Sequence, residues 1–189
     1  MMKKSILIFL SISFLFAESI GGGLAEKIER IANYYNIDPK VIYTIIKIES
    51  NFNPFSINAN FKSKEKKKAF IKLLKQYGVK YSVWGKAVSV SPKTKKTAKM
   101  LIENLKLMKV SSYDIGLMQI NSKNLTETEE KLALNPEYSI IKGTKILRKC
   151  FDYNNYNIYK TLICYNGSTV YAKKFYLAYI KLFGTLAKK

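Results

Sequence analysis

Apolar residues recur along this chain at intervals of three and four, and the runs are bounded by residues that start or stop helices. That spacing lines side chains along one face of an α-helix and dictates a mainly α fold. Leu24, Ile28, Ile31 and Ala32 form one stripe, ending near Asn36. Asp38-Pro39 reads as an N-cap followed by a first-turn proline, and Ile42, Ile45, Ile46 and Glu49 then share one face. Phe70, Leu73 and Leu74 mark a third helix, and Ser91-Pro92 opens a fourth with Ala98, Leu101, Ile102 and Leu105 as its stripe. Asn135-Pro136-Glu137 opens a helix that runs through Cys150. Asn157 to Tyr165 forms another, closed by Gly167, and Thr169 to Phe183 the last, with Gly184 at its end. Strand-type alternation shows only between Val79 and Val90, in a loop that carries Trp84 and has room for a small hairpin.

With 189 residues, 48% of them hydrophobic, the chain is large enough for one domain with a real core. It contains no histidine, which removes histidine-based nucleophilic catalysis, histidine general bases and histidine zinc ligands. Two cysteines are too few for a Cys₄ zinc site or an iron–sulfur cluster within the chain. A catalyst here has to be built from carboxylate, lysine, tyrosine or hydroxyl groups.

The first residues read as an address. Met1 to Lys4 carries two lysines, Ser5 to Phe16 is an apolar run of twelve, and Ala17 precedes Glu18, Ser19 and a glycine triplet. This is the layout of a secretory signal peptide over residues 1–17, leaving 18–189 as a single exported domain, in the periplasm or secreted. An uncleaved N-terminal anchor is the other reading, although a spanning helix needs about 20 apolar residues. No later run has spanning length. In an exported protein Cys150 and Cys164 can form a lasting disulfide; two buried free thiols are the alternative.

The formal charge is +20, and all but two of the basic residues, Arg30 and Arg148, are lysine. Residues 62–110 carry fifteen lysines against Glu65 and Glu103, and read as an insertion with its own chemistry. A lysine-rich surface suits diffuse attraction to polyanions or plain solubility, whereas bidentate readout of bases and phosphates favours arginine. Phe70, Tyr77, Tyr81 and Trp84 stand among those lysines, so base stacking is conceivable, but no specific nucleic-acid partner is expected.

Glu49 is out of place on its face. It continues an apolar stripe at the last turn of its helix, where burial and the negative end of the helix dipole both favour the protonated acid. Either it reaches out to solvent, or it sits protonated in a cleft, as general acid catalysis requires.

The surroundings of Glu49 carry further information. Three blocks, I-I-K-I-E-S-N-F-N-P ending at Pro54, G-L-M-Q-I-N from Gly116 to Asn121, and C-Y-N-G from Cys164 to Gly167, stand in this order, with N-P-E-Y-S-I-I-K-G-T-K-I-L from Asn135 between the second and third. From about Leu24 to Ile180 the chain resembles the lysozyme-like lytic transglycosylases that cut peptidoglycan. The resemblance implies a lysozyme-like (goose-type/transglycosylase) helical domain and a substrate of peptidoglycan glycan strands. It implies that Glu49 is the single acid/base, with Ser50 beside it to help place substrate. Gly116, Leu117, Met118 and Gln119 would form one wall of the groove, Gln119 donating to sugar groups, and Tyr165 and Asn166 the other. For Leu117 core packing is the plain alternative, and for Met118 core packing and a place in the groove wall hold together. The implied reaction forms 1,6-anhydro-muramoyl ends, with no metal or cofactor.

Two departures are visible. Cys164 replaces the small apolar residue usual before the Tyr-Asn pair, and 65 residues separate Ser50 from Gly116. The long separation, with Tyr113-Asp114 before the second block, is similar to specialised transglycosylases that accompany secretion, conjugation or pilus machines, whose components would be partners. Asp114 is an available second carboxylate, though beside Gly116 it reads more readily as a loop cap. Lysozyme-type hydrolysis and a non-catalytic wall-binding module are the competing functions.

Overall fold

The apolar stripes become helices where their spacing puts them. Among the described residues, 23–185, the computed structural model has α1 (Gly23–Tyr34), α2 (Pro39–Ser50), β1 (Ile57–Asn60), α3 (Lys64–Gln76), β2 (Tyr81–Trp84), β3 (Ala87–Val90), α4 (Lys95–Leu107), β4 (Tyr113–Ile115), β5 (Ile120–Asn121), α5 (Glu127–Leu132), α6 (Pro136–Tyr153), α7 (Ile158–Asn166) and α8 (Thr169–Phe183). The signal peptide expected over residues 1–17 lies outside the described residues. No helix among them is long and apolar enough to cross a membrane.

Local chemistry explains the boundaries. The Asp38 carboxylate accepts the Lys40 N–H at 2.9 Å and starts α2; Asn51, in the left-handed region at φ 49°, stops it. The fourth helix begins at Lys95 and not at Ser91-Pro92, because the Ser91 N–H still bonds the Lys80 carbonyl across the β2–β3 hairpin and keeps the chain extended. Thr94 supplies the N-cap instead. Helix α5 carries a Thr126/Glu129 capping box but buries only Glu130, so it presents no apolar stripe to be read.

The hairpin expected between Val79 and Val90 is the edge of a larger antiparallel sheet of order β2-β3-β1-β4-β5. Strands β4 and β5, of three and two residues, are too short for alternation to show in sequence. In the structure the alternation is plain. Ile57, Ala59, Val88, Val90, Tyr113 and Ile115 face one way and pack with Phe70 and Leu74 of α3 and Ala98, Leu101 and Leu105 of α4. Asn58, Ser89, Asp114 and Asn121 face the other way, and the register sets them in one row.

Residues 62–110 are therefore tied to the domain by strand pairing and a shared core. A partly buried ion pair adds to this: Lys106 of α4 meets Glu130 of α5 at 2.6 Å, and the Tyr113 hydroxyl donates to the same carboxylate at 2.7 Å. A second core joins α1, α2, α6, α7 and α8 around Ile42, Ile45, Ile46, Leu147, Leu162 and Phe175.

Cys150 of α6 and Cys164 of α7 are joined as a disulfide across 14 residues. Closing a loop of that length restricts the unfolded chain and is worth about 2–4 kcal/mol. Reduction, or the double change Cys150→Ala with Cys164→Ala, lowers stability by that amount in thermal denaturation with and without reductant.

Candidate active site

The stripe on α2 leads directly to the site. Ile42, Ile45 and Ile46 are fully buried, and Glu49, next on the same face, emerges at the last turn into a cleft of about 810 Å³. The polar row of the sheet forms one side of that cleft; Tyr165 and Asn166 at the end of α7 and Lys174 of α8 form the other.

The Glu49 carboxyl is held at a pKa of about 7. Burial is the main cause, and the nearby charge of Asp114 adds to it. Hydrogen bonding from Tyr171 and Asn166, and the charge of Lys174, favour the ionised form and limit the rise. The Tyr171 hydroxyl is buried and has no closely made hydrogen bond elsewhere among the described residues. The balance leaves a carboxyl that carries or releases a proton near neutral pH.

Asp114 is not a loop cap. It stands on β4, where its carboxylate accepts from Asn121 at 2.7 Å and from Asn58 at 3.3 Å across the sheet. Burial raises its pKa, and those two amides oppose the rise. The adjoining turn explains why it looked like a cap: Gly116 begins a reversal that returns the chain to β5, paired with β4.

The Gly-Leu-Met-Gln block acts differently from its expected role as a wall. Gly116, Leu117 and Met118 are buried and do not line the cleft. Their backbone organises it: the Met118 carbonyl accepts the Tyr165 hydroxyl at 2.8 Å, and the Met118 N–H donates to Ser139 Oγ at 3.2 Å. Gln119 does line the cleft, but its Nε2 donates to the carbonyls of Ser56 at 3.1 Å and Gly116 at 2.9 Å. Both amide protons are committed, so Gln119 offers a ligand its Oε1 as an acceptor and not the expected donor. Ser50 lines the cleft too, with its hydroxyl donating back to the Ile46 carbonyl at 3.1 Å.

Tyr165 and Asn166 line the same cleft as Glu49. Burial, then the charges of Glu49 and Asp114, raise the Tyr165 hydroxyl well above the usual tyrosine range, so it stays neutral. Tyr171 and Lys174 also act on Glu49, and the sequence does not single them out. One is among fourteen tyrosines and the other among thirty-one lysines, and neither lies in a distinctive local pattern.

The profile of the transglycosylase SLT domain family matches residues 26–176, a span that takes in Glu49, Gln119 and the Tyr165-Asn166 pair. The chain belongs to the SLT transglycosylase family. Comparison with curated proteins and with solved structures produced no significant match. This SLT transglycosylase is a mainly α, lysozyme-like domain whose family acts on peptidoglycan.

The environment of Glu49 sets the pH response expected of such a transglycosylase. With Glu49 as the proton donor, activity is expected to decline above about pH 7 as it ionises. Lys174→Met removes a positive charge that favours the carboxylate, so it raises the Glu49 pKa and moves the alkaline limb to higher pH. Asp114→Asn removes a negative charge that opposes the carboxylate, so the limb moves to lower pH. Profiles of kcat/KM against pH for the three proteins check both signs.

Proposed function

We propose that this transglycosylase cleaves the β-1,4 bond between N-acetylmuramic acid and N-acetylglucosamine without consuming water. The observation that carries the reading is Glu49: a carboxyl poised near pH 7 on the wall of the cleft, in a chain of this family. Glu49 donates its proton to the glycosidic oxygen as the bond to the muramic anomeric carbon breaks. The resulting carboxylate takes the proton of the muramic C6 hydroxyl, whose oxygen bonds to the same anomeric carbon. One proton leaves Glu49 and one returns, and the product carries a 1,6-anhydro ring. The nucleophile is already attached to the substrate, and such proximity is worth up to about 7–11 kcal/mol in favourable systems.

Neutral Tyr165 and the side chain of Asn166 stand at the carboxyl and position the sugar being attacked. Ser50 and Gln119 line the same cleft. The layout of residues 1–17 supports export to the periplasm, and the long separation between Ser50 and Gly116 supports local opening of the wall for a secretion, conjugation or pilus machine.

A second reading, hydrolysis of the same bond, is favoured by one observation: Asp114 presents a second carboxylate to the same cleft. Hydrolysing glycosidases normally use two. Mass spectrometry of digested, purified peptidoglycan separates the two. Anhydro-muramoyl ends are the expected product. Reducing ends as the main product would replace the lyase reading with hydrolysis, in which Asp114→Asn should abolish turnover.

A further inference from the structure

We propose that Trp84 is a stacking platform for a sugar ring, forming a distal subsite that lengthens the cleft away from Glu49. This rests on the reading of the substrate as a glycan strand. The platform belongs to the lysine-rich segment, and its recognition is aromatic and uncharged.

The sheet register places it. Ser82, Ser89, Asn58, Asp114 and Asn121 stand opposite one another across all five strands, and Trp84, Ala87 and Asn60 form the neighbouring row. Alternation along a strand puts residues two apart on the same face, so Trp84 shares the face of Ser82 and of the polar row. That row is linked: Ser89 Oγ donates to Asn58 Oδ1 at 2.8 Å, and Asn58 and Asn121 donate to Asp114. It makes a firm polar floor. At the β2 edge of that floor Trp84 lines the same cleft as Glu49.

Trp84 is 73% exposed, although it is the only tryptophan in the chain. Its indole Nε1 donates to Ser82 Oγ at 3.3 Å, on its own strand, which orients the ring while leaving it exposed. A large aromatic left open at the rim of a polar cleft suits a ligand with both apolar and polar surfaces. A pyranose is such a ligand: its C–H face lies flat on an aromatic ring while its hydroxyls and N-acetyl group meet amides and hydroxyls at the edges. Asn60 and Ser89 stand in the cleft beside Trp84 to supply those groups. β2 and β4 are three strand spacings apart, about 14 Å, which is the reach of a short run of sugar rings.

The charges agree. None of the fifteen lysines of residues 62–110 lines the cleft; its two lysines are Lys47 and Lys174. Helices α3 and α4 pack on the opposite face of the sheet, so the segment contributes its hairpin to the cleft and carries its lysines elsewhere.

Because Trp84 is the sole tryptophan, indole emission reads this subsite alone. The test uses Glu49→Gln protein titrated with purified, peptide-free peptidoglycan strands. A saturable change in indole emission is expected. Trp84→Ala in the same background should bind the strands roughly three- to tenfold more weakly by calorimetry, and Trp84→Tyr should recover most of that loss. Strands that bind with emission unchanged, or with affinity indifferent to Trp84→Ala, overturn the subsite and leave the proposed function standing. An emission response to polyphosphate and not to strands also overturns it. Strands that neither bind nor are cut by the native protein remove the proposed function and this subsite together.

Discussion

Glu49→Gln leaves the fold intact and lowers cleavage of purified peptidoglycan by roughly 10²–10⁴-fold, the usual contribution of a general acid or base. The amide keeps the size and hydrogen-bonding reach of the side chain but neither gives up nor takes a proton in the working pH range. Native-rate release of soluble fragments by the variant would show that Glu49 is not the acid. The same substitution has a second readout. Glu49 has its pKa raised on folding from the ordinary 4.5 to about 7, so the native state is penalised wherever the group is ionised. The penalty is absent well below pH 4.5, grows between the two values, and is complete above pH 7 at about 3 kcal/mol. Glu49→Gln therefore makes the protein more stable above pH 7, by up to that amount, and the difference vanishes in acid. Urea denaturation at pH 5 and pH 8 measures it. Lost turnover with gained stability is the signature of a group held in an unfavourable state for its chemistry.

Gly116→Ala is expected to cost about 2–5 kcal/mol and to lower Tm by roughly 5–15 °C. Gly116 has φ +83°, a conformation that a side chain disfavours by about 1–2 kcal/mol. A Cβ there would also sit 2.3 Å from the Ala133 carbonyl oxygen and 2.9 Å from Ser139 Oγ. Neither is the loose end of a flexible chain, so backbone has to move. Ser139 Oγ accepts from Met118, and Met118 holds the Tyr165 hydroxyl, so the displacement reaches the active cleft. Gly167→Ala is the control. Its φ is similar, +81°, but nothing lies within 4 Å of the added carbon. A cost at position 167 equal to that at 116 would show that conformation alone, and not the close approach, demands glycine there.

Much of the helical frame was legible, and the reason is local. A stripe such as Ile42, Ile45 and Ile46 needs only its own spacing and the Asp38-Pro39 cap to declare itself. Helix α5 escaped because its single buried side chain is Glu130, which is held by Lys106 and Tyr113 from distant parts of the chain. The strands β4 and β5 escaped because two or three residues cannot display a period. The site divided along the same line. Glu49 was conspicuous as a carboxylate on an apolar face. Leu117 and Met118 stand in a block that points to the groove and are apolar enough for the core, and the packed fold puts both wholly inside.

Local order alone thus determined the helices that carry an apolar stripe, the unusual position of Glu49, and each of the blocks that resemble the SLT transglycosylases, since each depends on residues within a few turns of one another. Tertiary structure decided the rest. It set Asp114 in the cleft with Glu49, brought Tyr171 and Lys174 of α8 against the end of α2, and turned Trp84 toward the polar face of the sheet. A proton affinity near neutrality is created by burial and by charges far away in sequence, so it exists only once the helices and the sheet have closed around the carboxyl.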